Sequence, residues 1–167
     1  VLLAVCYVHP LFDALFTRVA SDPYDPLLNA TILWWNATVT PFTAAWWNQP
    51  QFHPATGITG FTETLVGLWP LSTPIFWLTG SPLATYNLVF VLSVPLSALG
   101  GYFLVYQLTR RVDASLLGGL AFGFSPYRTA EIGHLQSLCA FGLPVALGAL
   151  HAHVADGRRR SEEHTSE

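Results

Sequence analysis

From Thr64 to Thr109 the chain carries no Asp, Glu, Lys or Arg. Water-soluble domains average about 25% charged residues, so an uncharged run of this length demands apolar surroundings. A helix of roughly 20 apolar residues crosses a bilayer, and the run therefore holds at least one span. The interruption Thr79-Gly80-Ser81-Pro82 divides it into Thr64 to Leu78 and Leu83 to Leu108. The second piece is long enough to cross. The first is short and contains Gly67, Pro70 and Pro74, which favours an interfacial position. The whole chain is 51% hydrophobic and 10% charged, with mean hydropathy +0.42. Its cations are seven Arg and no Lys, and its net charge is −3, which leaves no basic surface for a phosphate polymer and excludes a nucleic-acid partner. Membrane lipids are the expected surroundings.

Three further segments fit this setting. Val1 to Phe16 is apolar except for His9 and Asp13 and reads as the surviving part of a first transmembrane helix. Ala114 to Phe124 opens a third membrane segment whose Gly118, Gly119, Ala121 and Gly123 suit close helix packing. Ser137 to His151 returns toward Arg158. The Arg110-Arg111 and Arg158-Arg159 pairs are the arginine clusters, and the positive-inside rule puts both on the cytoplasmic side. Leu83 to Leu108 then begins outside, and the long loop from Thr17 to Glu63 is extracytoplasmic. Within that loop Pro26 to Val39 places Leu28, Ile32, Trp35 and Val39 at helical spacing with Asn29 and Asn36 elsewhere, an amphipathic interfacial helix. The pairs Trp34-Trp35 and Trp46-Trp47 suit the headgroup level. The fold class that follows is all-α: polytopic transmembrane helices with a long extracytoplasmic first loop containing short interfacial helices, an integral membrane protein.

Residues 1–159 read as the N-terminal part of one transmembrane domain, truncated at both ends. The string from Arg160 to Glu167, RSEEHTSE, resembles a translated sequencing-library adapter and is set aside as a non-native tail, which strips His164, Glu162, Glu163 and Glu167 of functional meaning. Cys6 and Cys139 sit in apolar stretches far apart and read as small buried hydrophobes. His9, His53, His151 and His153 show no metal-ligand spacing. Asn29-Ala30-Thr31 and Asn36-Ala37-Thr38 match the glycosylation acceptor pattern and are discounted on an interfacial helix.

On this topology Asp22, Asp25, Glu63, Arg128, Glu131 and His134 share the outer face, and ionisable groups gathered at a membrane surface form a site hypothesis. Asp25 has two readings. It is an ideal N-cap, with Pro26 as first helical residue; equally, a carboxylate held at a helix start just outside the bilayer can take a proton from a hydroxyl or hold a cation. Glu63 either assists Asp25, shares a divalent cation such as Mg or Mn with Asp22 and Asp25, or is a plain helix N-terminal acid. Arg128 has the planar fork for a phosphate, or pairs with Glu131 one turn away. His134 either protonates a leaving phosphate or binds a sugar, or is a simple interfacial polar contact.

An acidic residue in a first external loop, then an interfacial helix, Trp-rich sequence and a string of apolar segments resembles the GT-C superfamily of polyprenyl-phosphate-dependent glycosyltransferases. Asp25-Pro26-Leu27-Leu28-Asn29 is similar to the Asp-Pro-aromatic-aromatic-Asn element of the oligosaccharyltransferase catalytic subunit, with leucines where that element has aromatic residues. Phe61-Thr62-Glu63, Ser125-Pro126-Tyr127-Arg128 and Gly133-His134-Leu135-Gln136 resemble the pattern of bacterial membrane proteins assigned to that superfamily. The resemblance implies inverting transfer of a sugar from a polyprenyl-phosphate-linked donor to an acceptor at the outer membrane face. It makes Asp25 the catalytic carboxylate, with Asp22 as the substitute, and Glu63, Arg128, Glu131 and His134 substrate-binding residues. The enzyme in question is the longer parent protein, the 167-residue piece being inactive by itself. The alternatives are a lipid-linked glycan transporter or flippase, which needs polar groups at mid-membrane, and a non-catalytic membrane scaffold.

Overall fold

A computed structural model describes residues 9–165 of the chain. Cys6 and the first half of the Val1 to Phe16 segment lie outside the described residues, as do the last two residues of the Arg160 to Glu167 string. Every regular element among the described residues is helical. They are α1 (His9–Phe12), α2 (Tyr24–Thr38), α3 (Trp69–Thr79), α4 (Pro82–Thr109), α5 (Val112–Gly123), α6 (Pro126–Ala130), α7 (Leu135–Leu138) and α8 (Gly142–Thr165), with single 3-10 turns at Ile58–Gly60 and Val66–Leu68. Two stretches have the length and apolarity to cross a membrane: Pro82–Thr109, with mean hydropathy 2.1, and Leu135–Ala155, with 1.6.

The chain divides into two compact units, one reaching Val91 and including Ile132–Gln136, the other made of Leu92–Glu131 and the residues from Ser137 onward. The first is organised by α2, against which α3 packs. Helix α2 starts two residues earlier than its sequence suggests. Pro23 is the N-cap residue at φ −78° and ψ −11°, so Asp25 falls inside the first turn and makes no cap hydrogen bond. The locked φ of Pro23 is already helical, and its carbonyl accepts the Leu27 N–H at 3.1 Å. The capping role expected for Asp25 is thereby removed.

The buried face of α2 also differs from the expected stripe. It comprises Pro26, Asn29, Ala30, Ile32, Leu33 and Asn36, whereas Leu28 is exposed. The asparagines go inside because their amides are used. Asn36 Nδ2 donates to the Thr64 carbonyl at 2.8 Å, and Asn36 Oδ1 accepts from Trp46 Nε1 at 2.7 Å. Trp35 Nε1 and Thr59 Oγ1 both donate to the Trp46 carbonyl, at 2.9 and 2.7 Å. A buried amide left without partners costs more than most packing gains recover, so this hub fixes the loop onto α2. It also corrects the reading of the tryptophan pairs: Trp46 is 1% exposed and touches no headgroup, while Trp47 is turned outward.

Helix α3 has 11 residues, about 16 Å at the helical rise, roughly half a bilayer core. It ends at Gly80, whose φ of 63° is the left-handed C-terminal stop that glycine adopts freely. Ser81 then opens α4, its Oγ accepting the Ala84 N–H at 3.2 Å. On α4, Asn87 is buried and its Nδ2 donates to the carbonyls of Leu15 and Arg18 at 2.7 and 2.8 Å, which ties the turn after α1 to this helix.

The second unit is built on the C-terminal part of α4. Helix α5 runs antiparallel to it through glycine contacts: a Cβ at Gly123 would lie 2.6 Å from Ala98 Cβ, and one at Gly119 2.6 Å from the Ala98 carbonyl oxygen. The small-residue reading of this segment therefore holds. Helix α5 has 12 residues, about 18 Å of helix. Helix α8 lies along the other side of α4, with Pro144 against Gly100 and Gly148 against Phe103. An open apolar groove of about 200 Å³ remains among the three helices, bordered by Gly101, Val105, Phe122 and Leu147.

Candidate functional site

Asp25 and His134 meet in the first unit. Asp25 is set by the first turn of α2, where the positive end of the helix favours a carboxylate. His134 sits just ahead of α7, in the short strip that joins this unit and lies close to the residues before α2: a Cβ at Gly133 would be 3.2 Å from Ser21 Oγ. His134 Nε2 stands 3.2 Å from Asp25 Oδ2, and the two side chains are 45% and 52% exposed. The pair is thus preformed and open to an incoming molecule.

Glu63 joins the same group from the loop between the two 3-10 turns. Gln136 Nε2 donates to Glu63 Oε1 at 2.7 Å, and Asn29 Nδ2 donates to Gln136 Oε1 at 3.4 Å. Burial and then the negative charge of Asp25 push the Glu63 carboxyl above the usual carboxylate range, with His134 pulling the other way. Two carboxyl groups therefore share one histidine. A negative neighbour disfavours ionisation, which divides the roles: Asp25 faces the imidazole, and Glu63 stands behind it with its proton affinity raised.

Of the other residues expected here, Asp22 is exposed and engages no side chain among the described residues. Arg128 belongs to the second unit, where it is 6% exposed. Its Nη1 donates to Ser97 Oγ and the Leu138 carbonyl at 3.1 and 2.8 Å, and its Nη2 to Ser93 Oγ at 2.6 Å. These bonds clamp α6 and the end of α7 to α4. Glu131 is half-buried in the same unit, its N–H bonded to the Tyr127 carbonyl at 3.0 Å. Among the described residues no three of His, Cys, Asp and Glu converge as metal ligands, and Asp22, Asp25 and Glu63 do not form the expected cation site. Cys139 is a free thiol.

Asn29 and Gln136 are site residues that sequence reading passed over. Both carried a signal. Asn29 follows Asp25 by one helical turn and so shares its face, and Gln136 stands two residues from His134. Nothing in the sequence, however, pairs the two strips.

The open Asp25–His134 pair can accept a proton from a bound hydroxyl and hold it in place. The amide relay beside it can orient a second carboxyl. Compared with protein-family models, with curated proteins and with solved structures, the chain matches none.

Proposed function

We propose that this chain carries the acceptor-activating site of a membrane glycosyltransferase that takes a sugar from a polyprenyl-phosphate-linked donor at the outer face of a bacterial-type membrane. The observation that carries the reading is the 3.2 Å contact between Asp25 and His134. It supports Asp25, and not Asp22, as the working carboxylate. In the transfer, the acceptor oxygen forms its bond to the anomeric carbon on the side opposite the phosphate. The bond from that carbon to the phosphate oxygen breaks, and its electron pair leaves with the phosphate. The acceptor proton passes to Asp25, and attack from the side opposite the phosphate inverts the configuration at the anomeric carbon. His134 holds the carboxylate in line through its Nε2–H. Two helices long and apolar enough to cross a membrane suit a protein that meets a donor dissolved in the bilayer.

The test is sugar transfer from a polyprenyl-phosphate donor in membranes carrying the protein within its full-length parent. Asp25→Asn is expected to lower transfer by about 10²–10⁴-fold, the usual worth of a positioned base, with insertion unchanged. His134→Ala gives a smaller loss and Asp22→Asn none. Full transfer by Asp25→Asn overturns the reading.

A transporter of lipid-linked glycans is the second reading, and Arg128 favours it. This guanidinium lies buried against Ser93 and Ser97, near the middle of a helix of 28 residues that is apolar enough to cross; an intramembrane cation of this kind commonly marks a pathway. Movement of labelled lipid across proteoliposomes, without sugar transfer, decides for the transporter.

A further inference from the structure

The loop between α2 and the Val66–Leu68 turn exposes phenylalanine where water gives no reason for it. Phe42, Phe52 and Phe61 are 70%, 78% and 88% exposed, and Trp47 is 42% exposed. Of the four non-glycine residues at positive φ among the described residues, two are Phe42 at 67° and Phe52 at 57°. A bulky side chain rarely holds that backbone, and glycine would hold it at less cost. Strain of this kind persists where the placement of a side chain matters.

The rings gather on one support. The Phe42 ring lies 5.3 Å from the Trp46 ring, and the Trp47 ring 4.9 Å from it. Thr59, two residues before Phe61, bonds to the Trp46 and Trp47 carbonyls at 2.7 and 3.2 Å. Phe52 stands midway along the excursion 48–57, whose ends are joined where the Gly57 N–H donates to Asn48 Oδ1 at 3.0 Å.

An exposed apolar patch marks a protein partner or a membrane, and charge decides between them. From Pro26 to Thr62 the chain has no Asp, Glu, Lys or Arg. The loop therefore lacks the charges that select and register a protein partner, whereas acyl chains ask for none. The choice of ring points the same way, because Phe partitions into hydrocarbon as Leu does, while Trp and Tyr favour the headgroups. The same unit also includes residues 82–91, the start of the helix with mean hydropathy 2.1. We infer that Phe42, Phe52 and Phe61 form a wedge that enters the acyl layer of one bilayer leaflet. Irregular backbone does not enter hydrocarbon exposed to lipid, so the rings alone go in, to about 5–10 Å at the headgroup–acyl boundary. Phe61 stands two residues before Glu63, and the wedge sets the height of that carboxyl group above the acyl chains. Presenting the site to a lipid-borne donor rests on the transferase reading; insertion of the rings does not.

The test reads depth. A nitroxide is attached at Phe42→Cys, Phe52→Cys or Phe61→Cys, each combined with Cys6→Ser and Cys139→Ser, and the protein is placed in phosphatidylcholine nanodiscs. Oxygen, which concentrates in hydrocarbon, is expected to relax all three labels several-fold more than a water-soluble nickel chelate does. A label at Asp22→Cys should show the reverse, and adding anionic phosphatidylglycerol should change neither. Nickel dominance at the three positions overturns the wedge. Protection from both reagents, the mark of a protein partner or a second copy of the chain, overturns it too, as does oxygen dominance seen only with the anionic lipid. The unmodified protein gives an independent reading: phosphatidylcholine with a diazirine on its acyl chain should label residues 40–62 on irradiation, and absence of that label overturns the wedge even if a cysteine variant fails to fold. Oxygen dominance in a protein whose full-length parent transfers no sugar leaves the wedge standing and removes the transferase.

Discussion

The two units expose different apolar chemistry. In the first, large exposed side chains are mostly aromatic: Phe16, Phe42, Phe52, Phe61, Trp69 and Trp77. In the second they are mostly aliphatic: Leu99, Leu117, Leu143, Leu147, Leu150 and Val154. Tryptophan rings favour the headgroup level of a bilayer, where one edge is wet, and aliphatic chains the hydrocarbon. Their interiors differ in the opposite sense. The first unit buries a hydrogen-bonded amide hub around Asn36 and Trp46, which keeps a charge-poor loop in one conformation. The second is held by glycine contacts and one arginine clamp. Polar bonding thus shapes the first unit, and small-residue packing shapes the second.

Removing the hub is the strongest way to break this comparison. Asn36→Leu strands the Thr64 carbonyl and the Trp46 indole N–H, each at about 1–3 kcal/mol when buried without a partner. The loop should come off α2, with Trp46 fluorescence shifting to the red and protease cleavage appearing between residues 40 and 63. Unchanged fluorescence and protection would show that the hub is incidental. Next in size is Leu147→Asp on α8, an exposed position. If the second unit faces lipid, a carboxylate there costs about 3 kcal/mol of insertion, read as loss from the membrane fraction. If it faces water, the same substitution changes stability by less than about 0.5 kcal/mol. A control on the first unit, Phe52→Ser, should leave insertion intact.

What the sequence conveyed follows from the range of each interaction. The long uncharged run identified α4 almost to the residue, because length and hydropathy are local properties. Gly80 as a helix stop and the glycine face of α5 were legible for the same reason. The start of α2 was misplaced because Pro23 and Pro26 compete for the same role, and local chemistry does not rank them. Asn29 and Asn36 were put on the wrong face because burial of an amide depends on partners far along the chain, Gln136 in one case and Trp46 and Thr64 in the other. Arg128 was treated as a surface cation. Its burial depends on Ser93 and Ser97, hydroxyls that look unremarkable inside an apolar run.

The smallest expected effect sharpens the comparison within the first unit, where polar bonding does the shaping. Burial and the negative charge of Asp25 raise the Glu63 carboxyl above its ordinary value of 4.5. For a carboxyl raised on folding, the native state binds the proton more tightly than the unfolded chain does, so stability falls as pH climbs from the unfolded value toward the native one and is level above it. A protein with ordinary solvated carboxylates lacks this slope. Glu63→Gln keeps an oxygen to accept from Gln136 and removes the ionisation, so it should flatten the curve just above pH 4.5 and hold or slightly raise stability at neutral pH. The group is largely open to solvent, and screening keeps the effect modest. The measurement is thermal unfolding across pH for both proteins. Identical slopes would mean that Asp25 and Glu63 do not sense each other, and the division of roles between the two carboxyl groups would fail even with the Asp25–His134 pair intact.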